Sequence, residues 1–243
     1  MNKFLSTIKW DVRFQISNKL YAVGFVLTVM WIGVIILFPA EYMQYVIPIV
    51  LLSDLATMGL LFMGAIVYFE RGQGFIYSIV TTPLKTSEYL ISKVISLSLY
   101  VLLVTTAVVA SVSFIKNLNA NYMYMLLSVL VASAFYTLLG FLLSSFFKTF
   151  TDFLFPMGVL FTFFNMPLLW MFDIASLQGF RHIIYIMPSY GLVILLQSIL
   201  TPKPWYDIVY AVIYNTIAIH ALYRLCIKHF NRRIIGRSRD IDA

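Results

Sequence analysis

The chain has 243 residues, of which 61% are hydrophobic and only 11% charged, and its mean hydropathy is +0.90. Soluble domains carry about 25% charged residues, so this composition excludes an ordinary water-soluble protein and implies a polytopic membrane protein. The formal net charge of +7 raises nucleic acid as a partner, but in a membrane chain basic residues record orientation, and only their placement decides.

Segment 1–20 reads as an amphipathic interface helix. Leu5, Ile8, Val12 and Ile16 fall on one stripe at helical spacing, with Lys3, Ser6, Arg13 and Ser17 on the other side, the pattern of a helix lying among lipid headgroups. Trp10 and Phe14 stand off that stripe. With Arg13 they are candidate contacts for a soluble partner, while a plain membrane anchor is the competing reading. The first apolar run, from Tyr21, shows no A-x-A-like cleavage site after it and reads as a retained span.

Apolar length and breakers place transmembrane helices at 21–38, 45–69, 89–114, 122–147, 153–171 and 206–226. The runs are continuous rather than alternating, which argues against a β-barrel; the fold class expected is an all-α integral membrane protein with six spans in one membrane domain. Asp54 falls near the middle of the second span, where an ionisable group marks a functional site by default. Substrate contact, a polar lock between helices and a neutral acid remain open for it, with Ser53, Thr57, Tyr136 and Asn165 as neutral hydrogen-bond candidates. Between the second and third spans, segment 70–88 forms a charged elbow. Gly72 and Gly74 allow a sharp turn, Phe75, Ile76, Ile79 and Val80 can form the apolar face of a short helix, and Pro83 ends it. Glu70 and Arg71, at the membrane boundary, are placed to pair with each other, cap the turn or touch a partner. The fifth span is crowded with aromatic residues, including Phe161 and Phe164, and punctuated by Pro156 and Pro167. This stripe reads as packing or lipid-facing surface, or as a path for planar aromatic cargo.

Residues 182–200 are apolar but interrupted by Pro188-Ser189-Tyr190-Gly191, which suggests two short re-entrant helices on the outer face. Charge supports leaving this stretch out of the spans. With six spans and both termini cytoplasmic, 14 of the 17 basic residues lie inside, only Lys116, Arg181 and Lys203 lying outside. The basic tail then contacts anionic lipid of the bilayer, and no nucleic acid partner is expected. A single cysteine, Cys226, and three scattered histidines give no metal site, and no G-x-x-x-x-G-K-[ST] phosphate loop occurs.

The order of features resembles the permease subunits of type 2 ABC exporters: an amphipathic first helix, six spans, an elbow after the second, and broken helices before the sixth. Glu70, Arg71, Gly74, Ile76, Tyr77, Thr82 and Pro83 match the family's elbow pattern, followed by Glu88-Tyr89-Leu90-Ile91-Ser92-Lys93. Gly72 and Phe75 depart from residues common there. Within that family, Asp11-Val12-Arg13-Phe14-Gln15, Thr151-Asp152-Phe153-Leu154-Phe155-Pro156 and Asn165-Met166-Pro167-Leu168-Leu169 look like the fluoroquinolone-export permease group. The resemblance implies an exporter of drug-like or amphipathic compounds in a bacterial plasma membrane, working by alternating access. It implies no catalytic residue and no cofactor in this chain: ATP and Mg would be bound by two copies of a separate ABC ATPase, docked on the elbow, and a second permease copy would complete a dimer. An ion-coupled carrier using Asp54, and an immunity or sensor protein that binds a peptide, are the competing functions.

Overall fold

A computed structural model describes residues 3–74, 85–172 and 184–230. Helix Lys3–Ser17 ends where the Asn18 side-chain amide donates to the Phe14 carbonyl, and Lys19, left-handed at φ 60°, turns the chain into the first span, Leu20–Leu37. The other candidate spans are Ala40–Gly72, Thr86–Lys116, Tyr122–Ser144, Phe150–Phe172 and Trp205–Phe230, so the six expected helices are present. The described residues contain no strand.

Local chemistry explains where these helices begin. The Asn121 side chain accepts from the amides of Met123 and Tyr124, starting the fourth span, and the Thr149 hydroxyl accepts from the Asp152 amide, starting the fifth at Phe150 rather than Phe153. The fifth span tightens to a 3-10 helix over Met166–Phe172, beginning beside Pro167, which has no N–H to continue an α-helical ladder. The second span starts earlier than expected, with a 3-10 turn Ala40–Tyr42 after Pro39, and runs for 33 residues. At roughly 50 Å it outruns a ~30 Å hydrocarbon core. Its α-helix is interrupted by a π-helical turn, Met58–Phe62.

The second span is the axis of the bundle, 78% of its apolar window being buried, against 22% for the first and fifth spans and 11% for the sixth. The fourth span packs hardest on its π-helical turn. A Cβ at Gly59 would lie 2.3 Å from the Cβ of Tyr136, and one at Gly140 would lie 2.6 Å from the Gly59 carbonyl oxygen. Only glycine at both positions permits this approach of backbones, the small-residue contact on which helices in lipid associate.

Between the fifth and sixth spans, the expected break falls just before Pro188 rather than within Pro188-Ser189-Tyr190-Gly191: Ile184 is helical, a turn follows, and helix resumes at Pro188. Pro188 opens a single helix, Pro188–Gln197, because proline is preorganised for a first helical position and its missing N–H has no intrahelical use there. Gly191 lies inside that helix, where a Cβ would meet the Asn215 side chain of the sixth span at 2.5 Å. Residues 185–187 form a turn, and 182 and 183 lie outside the described residues. Ten residues are too few to cross a bilayer, so the stretch adds no seventh span.

Candidate functional site

The elbow leaves the second span at Gly72 and rejoins helix at Thr86, and the residues at both ends of it converge on one buried ion cluster. Lys93, fully buried near the start of the third span, pairs with Glu70 from the end of the second and with Asp11 from the N-terminal helix. The Tyr89 hydroxyl donates to the other oxygen of Glu70. The rings of Trp10, Phe14 and Tyr89 surround the ammonium, their centroids 5.2, 5.7 and 5.1 Å away. One turn along, the Gln15 amide donates to the Ser96 hydroxyl at 2.9 Å, continuing the polar seam between the N-terminal helix and the third span.

This seam corrects the sequence picture of the N-terminal helix. The stripe of Leu5, Ile8, Val12 and Ile16 was expected to be its buried side in lipid, and its ends turn away from the bundle, Leu5 60% and Ile16 56% exposed, with Ile8 and Val12 half-buried. Trp10 and Phe14, expected as outward contacts, instead turn inward and stack on each other at 5.1 Å, whereas Arg13 is exposed. A buried lysine between two carboxylates is held where neighbouring rings exclude water and further hydrogen bonds reach the carboxylates, as Tyr89 does for Glu70. Glu70 is wholly buried and engaged by Lys93 and Tyr89 rather than paired with Arg71.

Arg71 has a different task. Its guanidinium donates to the carbonyls of Phe147 at 2.9 Å and Ser144 at 3.1 Å, groups left without helical donors at the end of the fourth span. The Tyr68 hydroxyl donates to the same two carbonyls, and its ring lies 5.7 Å from both Phe150 and Phe153 at the start of the fifth span. Tyr89 meets the rings of Phe141 on the fourth span and Phe230 on the sixth. The base of the elbow therefore holds the N-terminal helix and the ends of five spans together. Gly74, at φ +70°, ends the second helix in a conformation that favours glycine; Gly72 is still helical. Phe75, Ile76, Tyr77 and Pro83 lie outside the described residues.

A second polar locus sits within the bundle. Asp54 is 2% exposed and accepts from the indole N–H of Trp31 on the first span at 3.1 Å. None of the four expected partners bonds to it. The Thr57 hydroxyl turns back to the Ser53 carbonyl, Ser53 reaches Asn165 on the fifth span at 3.4 Å, and the Tyr136 hydroxyl is buried without a partner. Asn165 also donates to the Phe161 carbonyl, and Phe164 packs edge-on to Phe135 and Tyr136. On the otherwise buried second span, Ile49, Ser53, Thr57 and Leu61 form a half-buried stripe at helical spacing, with Trp31 on one side and Asn165 on the other. Sequence reasoning missed Lys93, Asp11 and Trp31. Lys93 carried a usable signal, since it is an ionisable residue inside the expected third span, as Asp54 is inside the second.

Similarity agrees with this architecture. Two curated relatives, each named a fluoroquinolones export permease protein, from Mycobacterium tuberculosis strains CDC 1551 / Oshkosh and ATCC 25618 / H37Rv, are 24% identical to this chain over 246 residues. The alignments cover 98% of this chain and 99% of each relative. The family model described as Fluoroquinolones export permease protein matches residues 2–238, so this multi-pass membrane protein belongs to that family of export permeases.

Proposed function

We propose that the chain is the membrane subunit of an ATP-driven exporter of the type 2 ABC class, with both termini cytoplasmic in a bacterial plasma membrane. A separate ATPase, two copies per assembly, binds ATP and Mg and docks on segment 70–88. The observation that carries this reading is the ion cluster bracketing the elbow: Glu70 precedes it, Tyr89 and Lys93 follow it, and Asp11 ties in the N-terminal helix. A push on a segment so bracketed moves three helices as a unit, because separating them would strand buried charges. Glu70 then acts as a transmitter behind the docking surface, and the exposed Arg13 is left as a contact for the ATPase.

The half-buried stripe of the second span, between the first and fifth spans, is the face we assign to the transport path, closed by a second permease copy and opened alternately to either side. Phe161, Phe164 and Asn165 would border it, which suits a planar, amphipathic cargo. The relatives' printed names, fluoroquinolones export permease protein, support a drug-like cargo.

Purification of the chain in mild detergent from its native membranes, followed by mass spectrometry, tests the reading. A stoichiometric P-loop ATPase is expected, with Glu70→Ala retaining membrane insertion but losing cargo-stimulated ATP hydrolysis and transport. A chain that purifies alone and transports in liposomes under a proton gradient would overturn it in favour of a carrier.

A further inference from the structure

The sixth span carries charge on its outer face. Along Trp205–Phe230, Val209, Ile213 and Ile217 form an exposed apolar stripe, and the same face continues at helical spacing through His220, Arg224 and Lys228, all exposed. Trp205 and Tyr206, both exposed, anchor the start of this helix at one membrane boundary. A ~30 Å hydrocarbon core takes about 20 residues from there, to the neighbourhood of Cys226. Lys228 then stands among the headgroups, Arg224 about 3 Å inside the hydrocarbon edge and His220 about 9 Å inside it.

An arginine facing lipid near a helix end ordinarily stretches its charge out to water. Arg224 does the reverse. Its Nε donates to His220 Nε2 at 3.1 Å, one turn nearer the membrane centre, and its two terminal nitrogens have no hydrogen-bond partner among the described residues. Both ion pairs among the described residues belong to Lys93, so within them neither Arg224 nor Lys228 meets a carboxylate. Two uncompensated positive charges a turn apart, at the end of an apolar stripe, complement a molecule divided in the same way: an anionic phosphate carried on acyl chains. A second copy of the chain complements them less well. The carboxylates within its spans, Asp54 and Glu70, are buried, and the others on described spans stand in the first turns of helices, at the membrane boundaries.

We propose that Arg224, braced by His220, and Lys228 hold the phosphate of one anionic phospholipid on the sixth span, its acyl chains lying along Ile213 and Ile217. The site needs this helix to cross a bilayer and draws nothing from the exporter reading. Native mass spectrometry tests it on the delipidated full chain in detergent, titrated with phosphatidylglycerol or with zwitterionic phosphatidylcholine of the same acyl chains. At roughly fivefold for each basic residue near a membrane surface, the wild type is expected to bind the first anionic lipid about thirtyfold more tightly than the first zwitterionic one. Arg224→Gln with Lys228→Gln should remove most of that preference. Arg232→Gln with Arg233→Gln, the same change in charge a few residues on, should leave most of it. Equal losses in the two variants would assign the preference to net charge and overturn the proposal, as would a wild type with no preference. A readout on the unaltered chain guards against a misfolded variant. In nanodiscs, phosphatidylglycerol bearing a diazirine beside its glycerol should label the stretch from Ile217 to Lys228 in excess over phosphatidylcholine bearing the same group, scored by peptide mass spectrometry. Equal labelling by the two lipids, or a stretch shielded from both by a second copy of the chain, would overturn the assignment.

Discussion

Lys93 has two carboxylates and three aromatic rings around one ammonium, and the balance of those charges decides what each substitution does. Removing the lysine leaves Asp11 and Glu70 buried together without a counter-charge, whereas removing the carboxylate charges leaves a hydrogen-bonded amide beside an ammonium. Lys93→Met is therefore expected to destabilise the protein by about 3–5 kcal/mol, and Asp11→Asn with Glu70→Gln in the same chain should restore much of that loss. Thermal unfolding in detergent measures both; a Lys93→Met protein as stable as the wild type would refute the pairing. Arg71→Lys keeps the charge but replaces a fork that spans two carbonyls by a single point, so about 1.5–3 kcal/mol of charge-assisted bonding between the second and fourth spans is at stake.

Among the helices, glycines separate contacts that must be close from those that need not be. Gly59→Ala and Gly140→Ala drive a methyl into Tyr136 or into the carbonyls of the π-helical turn, and each is expected to lower stability by about 1–3 kcal/mol or more. Gly33→Ala and Gly72→Ala meet nothing within 4 Å and should be neutral or slightly stabilising by helix propensity. Gly74→Ala also meets nothing, yet its φ of +70° makes it cost about 1–2 kcal/mol, which a comparison of unfolding midpoints with Gly72→Ala isolates. The short helix Pro188–Gln197 is held in its own way: the hydroxyls of Tyr210 and Tyr214 on the sixth span donate to the carbonyls of Tyr185 and Ile186 in the turn before it. These bonds fix the turn that feeds the helix, and Gly191 lets the helix itself lie against Asn215.

For the molecule as a whole, cooperativity has a native reporter. Cys226 is the single cysteine, is fully buried, and donates its S–H to the Leu138 carbonyl between the sixth and fourth spans. A maleimide fluorophore is expected to label the folded protein slowly and to label it at the same temperature at which circular dichroism reports loss of the bundle. Labelling well below that temperature would mean that the sixth span, the least buried of the six, separates from the others first. Lys93→Met, which acts at the elbow base that Phe230 of the sixth span reaches through Tyr89, should shift the labelling transition by the same amount as the global one if the elbow end and the sixth span unfold together.

Composition and apolar length by themselves determined six helical spans, because a segment in lipid must satisfy its own backbone and needs about 20 apolar residues to cross. Glu70, Arg71 and Asp54 were equally legible as charges at positions where charge is costly. Their partners were not: Asp11 meets Lys93 across 82 residues, Glu70 meets Lys93 across 23, and Trp31 meets Asp54 across 23. Such pairings depend on how each helix is rotated about its axis, and in the N-terminal helix that rotation turns Asp11, Phe14 and Gln15 inward while Leu5 and Ile16 stay out. The π-helical turn of the second span was hidden for the same reason, since no residue in Met58–Phe62 demands it and the close approach of Gly59 to Tyr136 and Gly140 exists only in the packed bundle. Hydrophobicity, a local property, determined what enters the membrane; side-chain packing between distant segments decided which charges meet and which side chain each buried carboxylate takes as its partner.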